Sequence, residues 1–122
     1  SGALAMHLNE YQEAACGTCI SRSFDHLGFG LVEEAGEVAA IMKRFHRGDE
    51  EYSTASTWTT EHPLLTGAAY DKLKAELGDV LWHVAAFADA LGFSLDDVAR
   101  DNLQKVQRRN ANNTVMGSGD DR

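Results

Sequence analysis

One proline, Pro63, stands among 122 residues, and helix-forming residues dominate on both sides of it. Proline inside a helix removes a hydrogen bond and clashes with the preceding turn, so its absence elsewhere leaves two long stretches open to helix. Nowhere do β-branched and polar residues alternate over the length of a strand. The chain reads as all-α, a bundle-like arrangement of four main helices. Asn9 caps the first, which runs to about residue 21 with Leu8, Tyr11, Ala15 and Cys19 or Ile20 on its inner face. A second helix spans about 28–46 and stops at Gly48, where a C-terminal glycine belongs. A third spans about 68–91 and ends at Gly92; Ser94 then caps a fourth that reaches about residue 110, with SLDD as a variant of the capping box. Residues 48–68 form a long loop rich in Ser, Thr and acid, a length usually functional or disordered, and residues 111–122 form a polar tail.

Apolar residues at 43% and charged residues at 25% are ordinary for a globular protein, and the length suits one domain over 1–122. No apolar run approaches the roughly 18 to 20 residues a bilayer span needs, and no basic segment followed by an apolar one marks secretion. SGALA ahead of Met6 reads as a cloning remnant, and the expected location is the cytoplasm. A net charge of −8 argues against nucleic acid polymers and anionic membranes as partners. A phosphate-bearing ligand would need local cations or a metal to offset that field. Cys16 and Cys19 form CGTC within a helical segment, whereas a CxxC redox motif needs a strand-to-helix context and zinc needs two further ligands. His7 and His26 are nearest and neither has a paired spacing, so the cysteines read as ordinary reduced thiols.

The stretch LVEEAGEVAAIMKRF places acid where a core face belongs. At about 100° per residue, with Glu33 at zero, Leu31, Ala35, Val38, Ile41, Met42 and Phe45 span roughly 80° to 200°. Glu34 falls near 100°, inside that arc, and Glu37 near 40°, roughly on its edge. Glu33 faces away, with Arg44 close by in angle. In the third helix, around KAELGDVLWHVAAF, the arc is filled by Leu73, Leu77, Val80, Leu81, Val84, Phe87 and Leu91; Glu76 borders it, and Asp79 lies one turn along beside His83. Trp82 is off this arc and implies a second buried surface, such as a subunit interface.

Solvated acids are the ordinary reading of either pair alone. Glu34 weakens it, because a carboxylate inside an apolar arc must be protonated, paired or bound to a cation. Too few inward-facing bases are present to pair four acids. Antiparallel packing of the two helices would gather Glu34, Glu37, Glu76 and Asp79 into one oxygen cluster, the donor set of a hard divalent cation. A di-iron bundle would want Glu-x-x-His, and neither site has it; all-carboxylate ligation points to Mg²⁺, with Mn²⁺ the alternative.

GLVEEAGEVA followed by KAELGDVLW resembles the EExxE and ExxD signature of MazG-like, all-α nucleoside triphosphate pyrophosphohydrolases. LNEYQEAA, LGFSLDDVARDNLQKVQRR and the GSGDDR ending are also similar to small single-domain members, so the resemblance covers most of the chain outside the 48–68 loop. It implies Mg²⁺-dependent hydrolysis of a nucleoside triphosphate, often a deoxynucleotide, to monophosphate and pyrophosphate in nucleotide-pool housecleaning. It also implies a homodimer or homotetramer with sites completed across subunits. By position the metal ligands are Glu34, Glu37, Glu76 and Asp79, with Glu37 a candidate proton acceptor from water and Glu33 orienting its neighbours. Arg44, Asn102, Lys105 and Arg109 are candidate triphosphate contacts, or else solvated charges completing helix ends. His83, where similar proteins often carry tyrosine, is a phosphate contact or a satisfied surface histidine. Trp58 either stacks on a base or anchors its loop. Related substrates are dUTP and phosphoribosyl-ATP; the competing classes are a non-catalytic helical dimer holding a structural cation, and a redox or zinc module built on CGTC.

Overall fold

The computed structural model describes residues 5–49 and 67–112, with the backbone alone for residues 67 and 68. It contains α1 (Leu8–Cys16), α2 (Phe24–Arg47), α3 (Gly67–Ala90) and α4 (Leu95–Ala111), and no strand among the described residues. The expected loop and tail, with Trp58, lie almost wholly outside the described residues.

Three boundaries differ from the sequence expectation. Asn9 sits inside the first turn of α1 rather than capping it; its side-chain oxygen accepts from the Asp96 amide at 2.9 Å and so serves the start of α4. The helix ends at Cys16, short of residue 21, as Thr18 donates its hydroxyl back to the Ala15 carbonyl at 2.7 Å. α2 begins at Phe24, a turn before residue 28, because Ser23 accepts from the His26 amide and supplies the cap that glycine-rich LGFG obscures.

The other ends follow the sequence. Gly48 and Gly92 both have positive φ, 88° and 85°. Around each, the glycine amide donates three residues back and the next amide five back, from Asp49 to Arg44 and from Phe93 to Ala88, the paired bonds of a Schellman ending. Ser94 accepts from the Asp97 amide at 3.1 Å and starts α4 as expected.

α3 is the axis of the fold, touching α1, α2 and α4, whereas α2 packs on α3 alone. Gly28 lies against Phe87, Gly30 against His83, Glu34 beside Glu76 and Asp79, and Ile41 and Phe45 against Ala69 and Leu73. Numbers rise along one helix as they fall along the other, so α2 and α3 are antiparallel. One apolar cluster, Ile41, Phe45 and Ala69 with Leu73, closes the far end of this pair. A second, Ala15, Ala85 and Leu95 with Tyr11, Trp82 and Val84, joins α1 and α4 to α3. Leu27 is fully buried between helices, worth roughly 1.5–3 kcal/mol in area removed from water.

The second cluster corrects the reading of Trp82. Its ring packs within the chain, and its indole N–H donates to the Thr18 hydroxyl at 2.9 Å, so α1 supplies the second buried surface. The apolar arcs are also less covered than expected: Ala35 is exposed, and Leu77, Leu81 and Leu91 keep 58%, 41% and 44% of their surface, because α1, α2 and α4 together do not roof all of α3. No helix of the described residues is long and apolar enough to cross a membrane.

Candidate metal centre

Between the two apolar clusters lies a polar layer. Glu34 from α2 and Glu76 and Asp79 from α3 each offer an oxygen, and these oxygens lie within 4.8 Å of one another. Antiparallel packing makes the meeting inevitable once the register is set: Glu76 and Asp79 are one turn apart on α3, and both face the turn of α2 that carries Glu34. Glu34 and Glu76 are partly buried and Asp79 is open to solvent.

The layer is electrostatically stressed. The Glu76 carboxyl is held above the ordinary carboxylate range, first by loss of surrounding water, then by the charges of Asp79 and Glu34, a hydrogen bond with Glu34, and last the charge of Glu37. The Tyr11 phenol is also raised, by burial and then by the field of Asp79, which places α1's ring beside the layer. A proton shared between acids, or a cation, relieves such crowding. The donors are all oxygen, and the set fits a hard divalent cation with coordination positions left for water or phosphate.

Glu37, expected as a fourth ligand, is exposed on the next turn of α2; it reaches Glu76 through its field and stands outside the group of three. Glu33 is exposed, as its angle on the wheel implies. His83 lies one turn beyond Asp79, with Nδ1 3.0 Å from the Asp79 carbonyl oxygen. Arg44 is exposed in the last turn of α2, where its charge helps hold Asp49 below the usual carboxylate range after the nearer effect of Arg47. Asn102 and Lys105 share a groove of about 410 Å³ with Phe93, Asp97, Val98 and Asp101. Arg109 is buried, 6% exposed, so it is not the solvated helix-end charge its position suggests. Trp58 lies outside the described residues.

The cysteines stand away from this layer. Burial, then the charge of Asp89 and a hydrogen bond to it, push the Cys16 thiol up, and the Cys19 thiol lies 2.9 Å from the Ser21 carbonyl. Sequence reasoning missed Gln12. It is buried, donates to the carbonyls of Ala85 and Phe93, and accepts from the Leu95 amide at 2.9 Å. Its signal was present: an amide four residues after Leu8 and three before Ala15, on the face that must be covered.

The sequence model of the MazG nucleotide pyrophosphohydrolase domain matches residues 22–114, which include both carboxylate motifs. This chain belongs to the MazG family. It is 35% identical over 126 residues to the Gene 37 protein of Mycobacterium phage L5, covering 96% of this chain and all of that one. It is also 31% identical over 86 residues to an uncharacterized protein, YvdC, of Bacillus subtilis (strain 168), covering 70% of this chain and 74% of that one. No solved structure matches the chain closely enough to add a fold comparison. Membership of the MazG family makes the protein a nucleotide pyrophosphohydrolase in general terms, and its fold is the all-α fold of that family.

Proposed function

We propose that this MazG protein hydrolyses nucleoside triphosphates, deoxynucleotides among them, to monophosphate and pyrophosphate with Mg²⁺ as the resident ion, as a housecleaning activity on the cytoplasmic pool. The observation that carries the reading is the convergence of Glu34, Glu76 and Asp79 across the α2–α3 interface. A bound divalent ion there would neutralise phosphate oxygens and acidify a coordinated water. Glu34, Glu76 and Asp79 hold it. Glu37, exposed and one turn from Glu34, takes the proton of the attacking water or ligates from a position nearer the ion. Glu33 orients the α2 acids from outside. Arg44 and the groove residues Asn102 and Lys105 meet the triphosphate, Arg109 supports that face of α4, and Trp58 contacts the base.

The active form is a homodimer or homotetramer. Tyr70, Leu77 and Leu81 line one side of α3 at 60%, 58% and 41% exposure, a patch that asks for cover. A second copy covers it, and Leu77→Glu combined with Leu81→Glu gives a smaller species in sedimentation.

A panel of canonical and modified ribo- and deoxynucleoside triphosphates, with dUTP and phosphoribosyl-ATP, tests the reaction directly. With Mg²⁺ present, pyrophosphate appears; chelator stops it. Metal binding without turnover anywhere in the panel would favour a structural cation instead.

A further inference from the structure

We propose that Gly30 and His83 form a spacer pair that sets the separation of α2 and α3 at the acid layer, with His83 a positioning residue for the metal. The proposal rests on the reading of Glu34, Glu76 and Asp79 as ligands. Gly30 precedes Glu34 by four residues and His83 follows Asp79 by four, so in the antiparallel register the pair stands one turn, roughly 5 Å, from the carboxylates. A Cβ placed on Gly30 would meet the His83 ring at 2.6 Å from Cδ2, and nearer still to Nε2. Real carbon atoms do not approach so closely, so the imidazole occupies the space a side chain would take.

The ring is held there. A carbonyl oxygen only accepts, so in the 3.0 Å contact with Asp79 it is Nδ1 that donates, which turns Nε2 toward Gly30. On its other side the ring meets Trp82 edge-on, centroids 4.9 Å apart, and Trp82 is tied to Thr18. His83 is thus locked to the backbone of the very residue that supplies a ligand. Helix separation depends on the side chains at the contact. Adding a methyl group at Gly30 either pushes α2 away, which spreads Glu34 from Asp79, or turns the ring out of its contact with the Asp79 carbonyl, which removes its hold on the residue that supplies a ligand. Mg²⁺ is sensitive to such a change because it demands octahedral oxygens at about 2.0–2.1 Å, whereas Ca²⁺ accepts longer and more irregular contacts.

Two glycines beside the ligands provide the comparison. Gly36 on α2 and Gly78 on α3 would have nothing within 4 Å of an added Cβ. Alanine intrinsically favours helix over glycine at all three positions, so helix propensity alone cannot weaken metal binding at Gly30.

The test measures Mn²⁺ affinity by electron paramagnetic resonance, with Mg²⁺ and Ca²⁺ as competitors, on the full chain and its variants. Gly30→Ala weakens Mn²⁺ and Mg²⁺ by about tenfold or more, in the range known for groups that orient ligands, and Ca²⁺ by less. Gly36→Ala and Gly78→Ala stay within twofold of the parent. In the His83→Ala background, where the space is vacant, Gly30→Ala costs less than threefold. Circular dichroism confirms that each variant is helical. Equal losses for Gly30→Ala with and without His83, or a Gly30→Ala chain with parental affinity and Mg²⁺ preference, would overturn the spacer. Failure of the parent chain to bind Mn²⁺ would overturn the metal reading and the spacer with it.

Discussion

Carboxylates packed within 4.8 Å repel unless a proton or cation stands among them, and this gives each acid of the layer a distinct consequence when neutralised. Glu34 is the partly buried member from α2, and Asp79 is the open member from α3. Glu34→Gln and Asp79→Asn each remove an ionised donor while keeping shape, so turnover falls by more than about a hundredfold, beyond the range usual for outer partners of a metal. Helical content stays at the parental level. Glu33→Gln, on the solvent side of α2, loses about tenfold at most. Steady-state rates with saturating Mg²⁺ separate the three; a Glu33 variant deader than the other two would reverse the assignment of faces. The same residue-level logic explains why Glu34 was conspicuous in the sequence. An acid inside an apolar arc is a local anomaly that periodicity exposes, whereas Glu37, on the arc's edge and expected as a fourth ligand, is exposed and stands outside the group of three.

At the scale of elements, periodicity and capping located the helices well wherever the determinant was local. Gly48, Gly92 and Ser94 act through backbone conformation and bonds to amides and carbonyls a few residues away, and these ends fall where the sequence put them. The misplacements came from long-range bonds. Asn9 looked like the cap of its own helix and caps α4 instead; Trp82 looked like a subunit contact and packs on α1. Gln12 carries most of this hidden architecture, since one amide satisfies the end of α3, the corner at Phe93 and the first turn of α4. Gln12→Ala leaves the buried Leu95 amide without its acceptor and takes a donor from the Ala85 carbonyl and the part-buried Phe93 carbonyl, a buried group left unmade costing about 1–3 kcal/mol. A loss of about 2–4 kcal/mol overall is expected, allowing for water entering the vacated space. Chemical denaturation reads it as a lower midpoint at unchanged slope, and metal affinity stays at the parental level because the acid layer belongs to α2 and α3.

For the whole molecule, the proposed metal centre predicts that stability depends on pH in opposite senses with and without metal. The Glu76 carboxyl is raised in the folded chain above its ordinary value of 4.5, chiefly by lost hydration and the charges of Asp79 and Glu34. Between the ordinary and the raised value the folded chain holds more protons than the unfolded one, so stability falls as pH rises through that window. The metal-free protein, in chelator, is therefore stabilised by this group as pH is lowered from above the raised value toward 4.5. With Mn²⁺ present the sign reverses. An ion held by the proposed metal centre would bind the folded chain with Glu76 ionised and would add about 2.7 kcal/mol at a hundred times its Kd. Protons compete for the same oxygens, so that contribution shrinks as pH is lowered. Melting temperatures across this range, in chelator and in excess Mn²⁺, should converge toward acid and part toward neutral pH. Other carboxylates also titrate there, and Glu76→Gln isolates the effect. The substitution removes the ionisable group, so the metal-free variant loses the stabilisation on acidification that Glu76 supplies. It also binds the ion with one fewer ionised donor, so its two melting curves lie closer together at neutral pH. Parallel curves for the parent chain in chelator and in Mn²⁺ would mean that the three acids are a solvated face of the helix pair and not a metal centre.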